Sequence, residues 1–114
     1  MLTIYHNPRC SKSRQALQII EDSGAMVEVV EYLKTPPSNE SLRKVIGQLG
    51  IKPEELVRKG EAIYKERYKG KKLSDDEWIE AMVENPVLIE RPIVIKEGKA
   101  VLGRPPENVK ELLL

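Results

Sequence analysis

The sequence contains a single cysteine, Cys10, and a single histidine, His6. One cysteine excludes an internal disulfide and any site built from several thiolates, and one imidazole cannot complete a zinc site with it, so no metal centre is expected. An excess of charge of either sign is also missing: 19 Lys and Arg stand against 18 Asp and Glu. That balance leaves no basic footprint for a phosphate backbone, so nucleic acid is not an expected partner. No apolar run approaches the ~18 residues of a membrane span. The opening MLTIYHNPRCSK lacks the basic-then-apolar pattern of a signal peptide. A cytoplasmic protein with no membrane attachment is therefore expected. Repeats and low-complexity tracts are absent. The 114 residues have room for one domain, 1–114, with enough apolar surface to bury a core without staples.

What is present reads as an alternation of strand and helix. Leu2-Thr-Ile-Tyr5 is short, β-branched and aromatic, and predicts a strand. His6-Asn7-Pro8 is a turn. From Ser11 the period becomes helical, with Ala16, Ile19 and Ile20 on one face and Gly24 as the stop. Val27 to Val30 is strand-like again, giving a βαβ unit whose two strands run parallel. Residues 36 to about 84 form a helical block. Ser38 is positioned as an N-cap, Leu42, Val45, Ile46 and Leu49 trace one face, and Gly50 ends that helix. A weak, charged helix is expected near Glu61 to Tyr68. Ser74-Asp-Asp-Glu77 is a capping box opening a helix with Trp78, Ile79, Met82 and Val83 inward. Ile93-Val-Ile95 and Ala100-Val-Leu102 predict a hairpin, and Pro105-Pro106 opens a last helix carrying Val109, Leu112 and Leu113.

Chemistry concentrates in His6-Asn-Pro-Arg-Cys10-Ser-Lys-Ser-Arg14. Cys10 stands where a strand's carboxyl end turns into a helix N-terminus, the place where open α/β sheets bind ligands. Free amides and the positive end of the helix dipole favour an anion there, a thiolate included. Arg9, Lys12 and Arg14 add positive charge, the setting that lowers a cysteine pKa and makes a nucleophile. The residues alone leave other readings open: Cys10 as a small buried hydrophobe, Ser13 as a local cap, His6 as a structural or solvated side chain, Arg14 as a solvent-facing one.

This stretch resembles the glutaredoxin-coupled arsenate reductases, the ArsC-like family, in which a histidine, a cysteine and an arginine follow one another at four-residue intervals, as His6, Cys10 and Arg14 do. Ser13 also agrees. The likeness continues through Tyr32-Leu-Lys-Thr-Pro-Pro37, Leu56-Val-Arg58-Lys, Asn85-Pro86 and Arg91-Pro92-Ile-Val94 to Gly103-Arg104-Pro105. It departs where Ser11 and Lys12 follow the cysteine in place of the small residues frequent in the family. The resemblance implies an α/β, thioredoxin-like fold (βαβ, helical insertion, ββα) with a mixed sheet. It implies Cys10 as nucleophile, tuned by His6 and Ser13, and Arg58, Arg91 and Arg104 as oxyanion ligands, with Arg14 beside them. By analogy with thioredoxin-like folds, Pro92 is expected to be cis. The implied reaction reduces arsenate to arsenite through a Cys10 adduct resolved by glutathione and glutaredoxin, with glutathione as co-substrate, no bound cofactor, and a monomeric enzyme. Two rivals share the fold. One is a general glutathione-dependent thiol reductase, which the same cysteine would serve. The other is an Spx-like regulatory binding protein, disfavoured because Cys10-x-x-Ser13 lacks the second thiol of a Cys-x-x-Cys switch.

Overall fold

The structure, a computed structural model, describes residues 1–113. The chain divides into two compact units, residues 1–35 with 91–114 and residues 36–90. The helical block expected over about 36–84 falls inside the second.

The first unit is built on a four-stranded mixed sheet of β1 (Leu2–Tyr5), β2 (Val27–Val30), β3 (Ile93–Lys96) and β4 (Lys99–Leu102), in spatial order β2-β1-β3-β4. β1 runs parallel to β2, with Leu2 opposite Val27, and antiparallel to β3, with Ile4 opposite Val94. β3 and β4 form the expected hairpin, turned by Glu97 and Gly98, both at positive φ. Helix α1 (Ser11–Asp22) crosses from β1 to β2, burying Ser13, Ala16 and Ile20 along one stripe. Those apolar residues join Leu2, Ile4, Val94, Val109 and Leu112 in the core of this unit. The closing segment is a 3₁₀ helix over Pro106–Leu112, not the α-helix that its apolar residues suggested. Its buried residues are Pro106, Val109 and Leu112, spaced by three, and three residues per turn line them up on one edge. The Arg91–Pro92 peptide is cis, and so is Arg104–Pro105, which the sequence did not announce.

The second unit holds α2 (Asn39–Leu49), α3 (Ala62–Arg67) and α4 (Asp75–Glu84). Ser38 caps α2 by accepting from Ser41 N–H at 3.1 Å, and Gly50 ends it at φ 71°. The Ser74 capping box starts α4 as expected. Ala81, rather than Val83, completes its buried face with Trp78, Ile79 and Met82. Tyr64 and Tyr68 lie against Trp78 at 6.3 and 6.1 Å between ring centroids. A single antiparallel bridge pairs Val57 with Ile89. Among the described residues, no helix is long and apolar enough to cross a membrane.

Candidate active site

The loop between β1 and α1 is pinned by its own short-range bonds. Asn7-Pro8-Arg9-Cys10 is a β-turn closed by Cys10 N–H on the Asn7 carbonyl at 3.0 Å. The Asn7 side-chain oxygen accepts Arg9 N–H at 3.0 Å, the Asx-type contact that suits asparagine before a turn. Arg14, exposed on α1, reaches back and donates from Nη1 to the Pro8 carbonyl at 2.9 Å. Ser13 Oγ is fully buried, accepts Asn7 N–H at 3.0 Å, and lies 2.6 Å from His6 Nδ1. Since a buried hydroxyl proton needs an acceptor, Ser13 O–H donates to Nδ1 of the neutral ring, which leaves the ring proton on Nε2. Burial holds His6 below its ordinary pKa of 6.5; Glu31 and Glu21 pull it up and Arg14 pushes it down. The histidine is thus a buried, neutral strut beneath the loop.

With the loop fixed in this way, Cys10 occupies the N-cap position of α1 in extended conformation, half-buried, and α1 carries no acidic residue in its first turn. Burial, the largest single influence, pushes the thiol pKa up. The nearby amides of Ser13 and Lys12 and the side chain and charge of Arg91 together outweigh it, and the net shift is downward. The Cys10 side chain makes no cap hydrogen bond to the first turn of α1, and the Ser13 hydroxyl is engaged by His6 and Asn7.

Arg91 lies beside Cys10. Its guanidinium interacts with Cys10 and with the Tyr32 hydroxyl, which keep it charged against the effect of burial. Its Nε and Nη1 are buried and have no hydrogen-bond partner among the described residues. Donors left without acceptors in a buried place cost free energy, and these two belong to the guanidinium beside Cys10.

The ArsC family matches residues 5–112, nearly the whole chain. The chain belongs to the ArsC family. It is 49% identical over 112 residues to the uncharacterized protein YfgD of Escherichia coli K12, covering 96% of this chain and 94% of that one. It is 42% identical over 114 residues to an arsenate reductase of Neisseria meningitidis serogroup A, covering 98% and 97%. Among solved structures, an arsenate reductase from Vibrio cholerae superposes with a TM-score of 0.93 at 48% identity, covering 96% and 95%. The thioredoxin-like α/β fold follows from these likenesses and from the mixed sheet.

The other three arginines expected at the site in this ArsC-family chain, Arg104, Arg14 and Arg58, are held in three different ways. Arg104 donates from Nη1 to the Arg91 carbonyl at 3.1 Å, so it braces the backbone of the residue that faces Cys10. Gly103 sits against the same loop. Its N–H donates to the Pro92 carbonyl at 2.8 Å, and a Cβ there would lie 2.8 Å from Pro92 Cγ. Arg14 clips the cysteine loop. Arg58 belongs to the second unit and is engaged there by Glu61 and Glu90. In the sequence Tyr32 stands out only as part of the family likeness. Its burial at 0% exposure next to Arg91 gives it a place in the site. The sequence marks Asn7 only as a turn residue; an asparagine before proline is the signal from which its side-chain contact to Arg9 N–H could be found.

Proposed function

We propose that this protein is an arsenate reductase that uses glutathione and glutaredoxin. The observation that carries the reading is Arg91, with buried, unpartnered Nε and Nη1 beside a cysteine whose pKa is lowered. A guanidinium presents paired N–H donors that match two oxygens of a tetrahedral oxyanion and stays charged at every physiological pH. The amides of Lys12 and Ser13 add donors at the helix N-terminus. Arg104, which braces the Arg91 carbonyl, adds a second guanidinium to the anion site, and His6 and Ser13 hold the cysteine loop in its reactive shape. The names of the Neisseria and Vibrio relatives support arsenate as the oxyanion.

In this scheme the Cys10 thiolate attacks arsenic, an As–O bond breaks, and the departing oxygen takes up protons and leaves as water. Arsenic remains As(V) in the resulting thiol–arsenate adduct. The chain has no second cysteine, so the reducing thiol comes from outside. A glutathione thiolate attacks Cys10 Sγ, forming a mixed disulfide. The As–S bonding pair stays with arsenic, which leaves as arsenite, As(III), while two thiol sulfurs become a disulfide. A glutaredoxin thiol then takes the glutathione and returns Cys10 to the thiolate. No bound cofactor takes part.

The test is arsenate-dependent NADPH oxidation by the purified protein with glutathione, glutaredoxin and glutathione reductase. Turnover should saturate with arsenate and fall by ~10⁴-fold or more in Cys10→Ser, the scale seen when a nucleophile is deleted. A folded protein with a reactive Cys10 and no arsenate turnover would overturn the reading. Turnover of a glutathionylated peptide by that same protein would then mark the general thiol reductase.

A further inference from the structure

We infer that Asn7 is a positioning residue for Cys10: it shapes the turn that presents the cysteine, and it does so without bringing a charge into the loop. The inference rests on the reading of Cys10 as the nucleophile. Asn7 is buried, at 8% exposure. Its carbonyl accepts Cys10 N–H at 3.0 Å, and its Oδ1 accepts Arg9 N–H at 3.0 Å. Its own N–H donates to Ser13 Oγ at 3.0 Å, which ties the turn to α1. Pro8 has no N–H, so Asn7 takes up the amide donors of the turn, those of Arg9 and Cys10. The first bond inside the helix is Arg14 N–H on the Cys10 carbonyl at 3.0 Å. The amides of Ser11, Lys12 and Ser13 therefore have no intrahelical partner, and they are the ones available to an anion. Any residue at this position would supply the backbone bonds. The Oδ1 bond belongs to the side chain alone, and it fixes the Pro8–Arg9 peptide just ahead of Cys10.

Aspartate makes the same turn as readily as asparagine, because a carboxylate oxygen accepts the same amide. Turn geometry does not choose between them; charge does. A buried carboxylate at this position would share a short loop with the cysteine, and each anion would oppose the ionisation of the other. It would also offset the positive end of the helix dipole and repel an incoming oxyanion. The helix itself keeps to the same rule. Acidic residues favour a helix start, and α2 has Glu40 and α4 has Asp75, Asp76 and Glu77 in their first turns. α1, with Cys10 as its N-cap, has none. The charges set around Cys10 are positive: Arg9, Lys12 and Arg14 along the chain and Arg91 from before β3. His6 beneath the loop is neutral, and Glu21 and Glu31 act on that ring. Asn7 extends this acid-free setting to the turn.

Three measurements on the full chain test this: iodoacetamide alkylation of Cys10 against pH, calorimetric titration with sulfate, and urea unfolding. Asn7→Asp keeps the acceptor and adds the charge. It should raise the midpoint of Cys10 ionisation by roughly one pH unit and weaken sulfate binding roughly tenfold, with a urea midpoint near that of the unmodified protein at pH 8. Asn7→Ala removes the acceptor without adding charge. It should lower the urea midpoint and slow alkylation of the ionised thiol, and Asn7→Ser, whose hydroxyl can accept Arg9 N–H, should recover part of both. An Asn7→Asp protein that folds but ionises and binds sulfate as the unmodified one does would overturn the inference. So would an Asn7→Ala protein with unmodified stability and alkylation rate. Should Asn7→Asp not fold, the alanine and serine pair decides: equal behaviour in the two removes the side chain from the role. Failure of the arsenate reading looks different: no arsenate turnover by the unmodified protein, with Cys10 ionisation still displaced in Asn7→Asp. Normal turnover with no response at Asn7 sinks the positioning role alone.

Discussion

Arg91, in the unit built on the sheet, keeps Nε and Nη1 buried and without an acceptor among the described residues, whereas Arg58, in the helical unit, gives Nε to Glu61 and Nη1 to Glu90. The residue type is the same and so is the family role expected of both. What differs is the set of acceptors that the chain supplies. Around Arg91 it supplies the thiol of Cys10 and the phenol of Tyr32, neither of which satisfies Nε or Nη1. Around Arg58 it supplies two full carboxylates. An arginine ready for a ligand and an arginine already occupied are thus distinguished by their neighbours, which the arginine codons cannot reveal.

The most severe way to break that contrast is to remove Arg91. Arg91→Gln should weaken sulfate and arsenate binding roughly 100-fold by calorimetry, since charged donors aimed at an anion are lost. Arg91→Lys should recover only part, because an ammonium cannot reproduce the fork. Equal affinity in all three proteins would remove Arg91 from the site.

A second route leaves the guanidinium and disturbs its support. Gly103→Ala puts a Cβ 2.8 Å from Pro92 Cγ, with Val109 Cγ1 at 3.3 Å and Ala16 Cβ at 3.4 Å. The proline ring and the core on either side leave little room to yield. The variant should lose roughly 1–3 kcal/mol of stability in urea unfolding and bind anions more weakly as Arg91 shifts. Unaltered stability would show that the loop packs more loosely than the structure has it.

The loop under Cys10 responds to pH. His6 has a lowered pKa in the folded protein, so the unfolded chain takes up its proton first as pH falls. Its contribution to stability is complete above its ordinary value of 6.5 and declines as pH drops below that and through the folded value. Urea midpoints measured across this range should fall in the unmodified protein and stay flatter in His6→Gln. A parallel decline in both would assign the effect to other groups.

The smallest effect should come from Arg58. Because its donors are already engaged, Arg58→Gln in the unmodified background should cost less than about threefold in anion affinity. A loss as large as that of Arg91→Gln would erase the contrast between the two.

How far these features were legible in the sequence follows from how far apart the partners lie. The cysteine loop was readable because it is made locally. Asn7, Arg9, Cys10, Ser13, Arg14 and His6 bond to one another across at most seven residues. The Ser74 box and the Gly50 stop were readable for the same reason. The last helix was read correctly in place but not in type, because Val109, Leu112 and Leu113 fit either helix and only the buried Pro106 discloses the three-residue spacing. Glu90 on Arg58 spans 32 positions and depends on the Val57–Ile89 bridge, and no local pattern announces it. Arg104 on the Arg91 carbonyl is likewise a product of the folded hairpin.

The central claim is that Arg91 and the first-turn amides of α1 hold Cys10 as a thiolate at an anion site. The most direct measurement is the rate of Cys10 alkylation by iodoacetamide against pH, in the unmodified protein and in Arg91→Gln, with and without sulfate. The account predicts a thiol that ionises below its ordinary value, an upward shift when Arg91 is lost, and protection by sulfate only while Arg91 is present. The same ionisation in both proteins, with no protection by sulfate in either, would contradict it.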